Sequence, residues 1–295
     1  MRLSEKQSDV LIGYALVALS AVCFGIMPIF ASVAYASGED TTTLLFLRFM
    51  IGGVFLAIIA KLKNAPLPPK SSYPVLFLLG ALGYTGISFC YFTALNYASA
   101  SLVSLLLYVY PALVTLFSVL FVHEKISSSK LIALMCAFGG CMLVLGLGGK
   151  GDLKGMALAL GAAVIYAIYI IVSAQVIGKK TAMASSAFII LSASLSFACM
   201  VMVKGVHLPK TSEGLFATLA IALFSTVIAF WAFFSGLGRI GATNASLVST
   251  LEPLVTVLSA MVFLGERLSL INLLGGVLIL VGLVLSALPK PQRYA

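Results

Sequence analysis

Ala242–Ser269 reads ATNASLVSTLEPLVTVLSAMVFLGERLS. An apolar span carries one carboxylate, Glu252, near its middle, with Pro253 directly after it and a second acid, Glu266, beside Arg267 at its end. The stretch Ala100–Ser127, ASLVSLLLYVYPALVTLFSVLFVHEKIS, lies 142 residues earlier and repeats it without a gap. Ala100, Ser104, Leu105, Pro111, Leu116, Phe121, Glu124 and Ser127 fall on Ala242, Ser246, Leu247, Pro253, Leu258, Phe263, Glu266 and Ser269. One mismatch matters most: Tyr110 stands where the second copy has Glu252. The same offset recurs nearer the start, where Leu11, Gly13, Ala15, Leu16, Ala21 and Val22 match Leu153, Gly155, Ala157, Leu158, Ala163 and Val164.

The 295 residues are 61% hydrophobic and 9% charged, with a mean hydropathy of +1.15. A water-soluble domain cannot bury that much apolar surface, so most of the chain belongs in lipid. Ten continuous apolar spans are readable at 11–34, 43–60, 74–95, 100–121, 130–147, 154–177, 183–204, 214–237, 243–264 and 269–288. Each is about long enough to cross a ~30 Å hydrocarbon core. Backbone polar groups in lipid need internal partners, and these spans lack barrel-type alternation, so they are expected as helices. Arg2 and Lys6 before the first run imitate a signal peptide. The length of that run and its match at 153–164 favour a retained helix.

With the N-terminus inside, twelve Lys and Arg fall in cytoplasmic segments and five in outer ones. That bias places both termini in the cytoplasm and accounts for the net charge of +9 without a nucleic-acid partner. Five helices per half make the second half enter from the opposite side. The expected fold is therefore an all-α membrane protein of ten transmembrane helices in two inverted five-helix repeats, 10–147 and 153–288. Such repeats place a substrate site near the midplane between the halves. The five cysteines lie in apolar spans without metal or disulfide spacing, and the two histidines are far apart, so no metal and no cofactor is expected.

Further residues carry a resemblance. The run Tyr91-Phe92-Thr93-Ala94-Leu95-Asn96-Tyr97-Ala98, then Ala100-Ser101, Pro111 and Glu124, resembles the first domain of the EamA type of drug/metabolite transporter. Glu252-Pro253-Leu254, Leu264-Gly265-Glu266-Arg267-Leu268-Ser269 and Gly275-Gly276 through Gly282 resemble its second, and Leu47-Arg48-Phe49 matches its second-helix arginine. The resemblance implies two five-helix units around a central chamber lined by helices three, four, eight and nine, with helices five and ten peripheral. It implies export of amino acids or related metabolites. Many members have a first-helix tryptophan where this chain has Phe24.

Candidate substrate contacts follow from polar and aromatic residues set in lipid. Arg48 lies ~8 Å inside the second helix; it either snorkels to the outer interface or faces the chamber. Tyr84, Ser88 and Tyr91 share one face of helix three, and Ser104, Tyr108 and Pro111 one face of helix four. Phe24 and Tyr166 are repeat mates, and Trp231 lies in helix eight. Glu252, ~14 Å from the nearer helix end, must be neutralised, paired or facing water. Pro28, Pro111 and Pro253 remove helix hydrogen bonds and are hinge candidates. Glu124 and Glu266 read as anchors at turns, with Ser127 and Ser269 as N-caps. Gly139-Gly140 and Gly275-Gly276 read as close helix contacts.

The expected function is a secondary transporter of small molecules in the cell membrane, by alternating access, with proton coupling through Glu252 as one option. Monomer and homodimer are both open. No phosphate-binding loop of the G-x-x-x-x-G-K-[ST] type occurs, so direct ATP hydrolysis is not expected. An intramembrane enzyme would need a catalytic set at one depth, and only Glu252 and Arg48 qualify. A lipid flippase would need a chamber open sideways.

Overall fold

The computed structural model describes residues 2–121, 131–132, 135–136, 138–140, 142–143, 152–177, 181–249, 251–267 and 269–287. Among them every regular element is helical. The first half contains α1 (Arg2–Gly25), α2 (Met27–Ala36), α3 (Thr41–Leu62), α4 (Tyr73–Leu78), α5 (Thr85–Ala94), α6 (Ala100–Leu107) and α7 (Tyr110–Phe121). The second contains α8 (Leu153–Val176), α9 (Ala182–Lys204), α10 (Ser212–Ala222), α11 (Ala229–Ser249), α12 (Leu251–Phe263) and α13 (Leu270–Ala287). Six helical stretches, 8–36, 41–62, 70–94, 153–173, 182–204 and 212–237, are long and apolar enough to cross a membrane. Shorter apolar helices lie at 100–114, 251–263 and 270–282. Much of the fifth expected span, with Glu124 and Ser127 before it, falls outside the described residues.

Several expected helices are interrupted, for local reasons. Pro28 cannot donate to the carbonyl four residues back. Ile29 turns instead to the carbonyl of Ile26 (3.1 Å), and the released carbonyl of Gly25 accepts from Thr256 Oγ1 on α12 (2.9 Å). The first span therefore divides into α1 and α2 at Ile26. The fourth divides at Tyr108-Val109, just before Pro111. The third span contains a π-helical segment, Leu79–Tyr84, and the eighth contains another, Leu223–Ile228. In each, a threonine hydroxyl donates to the carbonyl five residues back: Thr85 to Gly80 at 3.0 Å and Thr226 to Ile221 at 3.2 Å.

One expected boundary is corrected. The eighth span does not stop at 237; helical backbone continues to Ser249. Within that helix Gly236 serves packing, because a Cβ on it would lie 2.7 Å from the Gly13 carbonyl oxygen of α1. Gly140 behaves similarly, since a Cβ there would lie 2.5 Å from the Gly275 carbonyl oxygen, whereas Gly139 faces open space.

The packing crosses between the halves. α1 lies on α11, α2 on α10, α3 on α9, α5 on α8, and α6 on α12. Exchanging the halves leaves this pattern unchanged: the first helix on the eighth becomes the sixth on the third, and second-on-seventh maps onto itself. Five chain connections gather at one end of the bundle. There Lys210 N donates to Ser37 O, Asn96 Nδ2 to Thr41 Oγ1, Asp152 N to Tyr97 O, and Ala100 N to the Glu266 carboxylate.

Candidate functional site

The apolar core surrounds a polar cluster built by α3, both π-helical segments, α5, the interruption between α6 and α7, α8 and α12. Arg48 is 2% exposed, so it does not snorkel. Its Nε donates to Thr226 Oγ1 at 3.0 Å, and its guanidinium carbon sits 4.9 Å from the Phe49 ring centre and 5.2 Å from that of Phe92. Gly52 makes this possible, since a Cβ there would lie 2.6 Å from Thr226 Cγ2. Thr226 thus accepts from Arg48 while donating to its own π-helical turn. The Tyr84 hydroxyl is also within reach of the guanidinium.

Glu252 faces the Tyr108 hydroxyl and lies within electrostatic reach of Arg48, Tyr84, Tyr91, Tyr110 and Tyr166. Its position is fixed by the bend in the first span. A Cβ on Gly25 would lie 2.8 Å from the Glu252 carbonyl oxygen, and Thr256 Oγ1 bridges the carbonyls of Gly25 and Glu252 at 2.9 and 3.1 Å. Although surrounded by protein, Glu252 keeps accessible surface, as do Tyr84, Tyr110, Tyr166 and Tyr169.

A tyrosine belt runs beside Glu252. Ring centres are 4.4 Å apart for Tyr110–Tyr166, 5.9 Å for Tyr108–Tyr110, 6.1 Å for Tyr166–Tyr169 and 5.8 Å for Tyr84–Tyr169. Offset and tilted pairs at these spacings are favourable beyond simple burial. Tyr91 is buried, with its hydroxyl reaching Ser104. Ser88 is buried on the same helix. Phe24 stands edge-on to Phe230, centres 5.5 Å apart. Pro253 is buried in the first turn of α12, and Pro111 and Pro28 stand at the starts of α7 and α2.

Trp231 is not brought into this cluster. It lines a groove with Ile59, Leu62, Lys63, Val227 and Ile228, with Lys63 Nζ 5.5 Å from its ring centre. Thr226 and Tyr169 escaped the sequence reading, and Tyr110 entered it only as the repeat mate of Glu252, not as a candidate contact. The repeat offset points to two of them, because Thr226 is the mate of Tyr84 and Tyr110 the mate of Glu252. Among the described residues no group of His, Cys, Asp and Glu is arranged to hold a metal. Glu266 is an anchor between halves: its carboxylate accepts from the N–H groups of Ala100 (2.7 Å) and Ser101 (3.2 Å) at the start of α6. Ser269 Oγ accepts from Asn272 N at 3.2 Å, the N-cap of α13.

Two sets of residues, 11–146 and 153–288, match the profile of the EamA-like transporter family. The chain belongs to that family. It is 26% identical over 296 residues to the uncharacterized transporter YcbK of Bacillus subtilis (strain 168), covering 92% of each chain. An uncharacterized transporter of Haemophilus influenzae is 23% identical over 300 residues, covering 94% of this chain and 95% of its own. A solved crystal structure shares the fold with a TM-score of 0.64 at 23% identity, over 95% of this chain and 97% of its own. Together with the apolar helices, these matches identify a multi-pass membrane transporter.

Proposed function

We propose that this EamA-like protein is a secondary transporter of small polar or amphipathic metabolites, an exporter of amino acids or related compounds, acting by alternating access between two inverted five-helix repeats in the cell membrane. The units are residues 10–147 and 153–288, both termini are cytoplasmic, and the chain works without a cofactor. Phe24, Arg48, Tyr84, Ser88, Tyr91, Tyr108, Tyr166 and Glu252 form the substrate site, and Pro28, Pro111 and Pro253 mark where helices bend during the cycle.

The observation that carries this reading is the accessible, centrally placed Glu252 beside a tyrosine belt and across from Arg48. A carboxylate and a guanidinium held apart in one low-dielectric space suit a ligand with separated positive and negative groups, and ring faces attract the positive end. In this reading Glu252 takes the substrate ammonium or a proton, and Arg48 supports the opposite charge. An enzymatic role has less support, because the cluster offers one acid and one guanidinium without an oriented nucleophile and base.

Transport by purified Glu252→Gln protein in liposomes tests the charge. Glutamine preserves size and much of the hydrogen bonding but cannot ionise. The expected result is a loss of roughly tenfold to a hundredfold, the range for a hydrogen bond to a charged group. Transport at the wild-type rate and pH dependence would remove the charge from the mechanism.

A further inference from the structure

Trp231 and Lys63 lie outside the central cluster, yet the fold brings them together. α3 packs against α10 and the second π-helical segment, with Gly52 against Thr226. Among the described residues it has no comparable packing on α11, so the two helices part beyond Ile228. The opening is a groove of about 370 Å³ between Ile59, Leu62, Lys63, Val227, Ile228 and Trp231. Its walls are apolar except for Lys63 at the end where α3 stops.

The surroundings identify the solvent this groove meets. Val54, Phe55, Ile58 and Leu62 are exposed along the adjoining face of α3, the pattern of a surface turned to acyl chains. Lys61 and Lys63 are exposed at the end of that face, followed by the polar and proline-containing stretch from Asn64 to Lys70. An indole at such a boundary sits at headgroup level, with its apolar ring inward and its N–H toward water. Basic residues immediately beyond a membrane helix attract anionic lipid.

We propose that this groove is a binding site for an anionic phospholipid, with one acyl chain against Ile59, Val227 and Ile228 and the phosphate held by Lys63. Lys61 adds attraction, and Trp231 covers the junction of chain and headgroup. An apolar slot open to the bilayer selects a chain, and an ammonium at its mouth selects a phosphate with net negative charge over a zwitterionic headgroup. The back wall, Val227-Ile228, belongs to the same π-helical turn as Thr226, so the lipid braces the segment that holds Arg48. The site stands on membrane embedding alone and does not depend on the transport reading.

Native mass spectrometry of the full-length protein tests this, with phosphatidylglycerol and phosphatidylcholine of matched chains as probes. Wild-type protein is expected to retain phosphatidylglycerol preferentially. Lys63→Gln should reduce that preference roughly fivefold, the effect of one basic residue near an anionic surface. Trp231→Ala should weaken retention of both lipids. Lys210→Gln, at the opposite end of the bundle, should change nothing. Lys63 is exposed, so its replacement leaves the fold intact, which circular dichroism and elution volume verify. Equal retention of both lipids by wild type, or an unchanged preference in Lys63→Gln, would overturn the proposal. So would crosslinking that places a second copy of the chain in the groove.

Discussion

Tyr110 and Glu252 occupy equivalent places in the two halves, each followed directly by a proline, Pro111 and Pro253. The proline is common to both; the chemistry beside it is not. At the neighbouring equivalent pair, Tyr84 gives a ring and a hydroxyl where Thr226 gives a short hydroxyl that receives Arg48. Arg48 itself has Ile190 as its mate, a core residue 1% exposed. The duplication therefore supplies a symmetric frame and a lopsided cluster: tyrosine hydroxyls from both halves, the guanidinium from the first, and the carboxylate and a receiver for the guanidinium from the second.

Erasing the asymmetry is expected to have the largest effect. Glu252→Tyr makes the two halves alike at this level and should lower transport in liposomes by roughly a hundredfold, since it removes the charge and crowds the Tyr108 hydroxyl. Moving the acid, in the double variant Tyr110→Glu and Glu252→Tyr, should not restore transport. The acid would then face Arg48 from the wrong half, with Ile190 where a symmetric arginine would stand. Recovery to near the wild-type rate would show that the frame alone sets function.

Thr226→Val should come next. Valine keeps the shape but leaves the buried Arg48 Nε–H without its acceptor and the Ile221 carbonyl without its donor. The expected cost is about 1.5–3 kcal/mol, read as a fall in thermal stability or a matching loss of transport. Thr226→Ser, which keeps the hydroxyl, should recover most of it. Equal behaviour of valine and serine would mean that the bond to Arg48 contributes little.

Much of this was legible in the sequence, and the limits have physical causes. The 142-residue repeat marked Pro111 and Pro253 as equivalent hinge candidates, and the fourth span divides at Tyr108-Val109, just before the first of them. Glu252 stood out because a carboxylate inside an apolar run is costly. Thr226 did not stand out, because one threonine in a helix gives no such signal; only its relation to Tyr84 marks it. Trp231 misled because an indole in a membrane span suits a chamber wall and an interface equally well, and only the divergence of α3 from α11 decides between them.

A second pair of acids sharpens the comparison at the end where the connections gather. Glu266 joins the halves through two backbone N–H groups at the start of α6, an anion at a helix N-terminus. Glu266→Gln should lower stability by about 1 kcal/mol, measured by thermal unfolding in detergent, because glutamine retains an acceptor but loses the charge. No change would reduce this contact to packing.

Glu39 is the contrasting acid and should give the smallest effect, visible only against pH. It lies between α2 and α3, outside the membrane-spanning segments, and is 4% exposed. One carboxyl oxygen accepts from Thr218 Oγ1 of α10, while Oε1 is buried without a partner. Burial raises its pKa from 4.5 to about 7, with the Thr218 bond opposing the shift and the nearby Asp40 adding to it. The folded protein therefore binds this proton more tightly than the unfolded chain does. Its contribution to stability is fully present below about pH 4.5 and is lost as pH rises through about 7. Thermal unfolding followed across that window should show wild-type stability declining with rising pH by more than Glu39→Gln does. The glutamine variant, neutral throughout, should match the wild type at the acid end and exceed it at the alkaline end. Parallel pH profiles for the two proteins would show that Glu39 is solvated and that its contact with Thr218 does not hold the halves together.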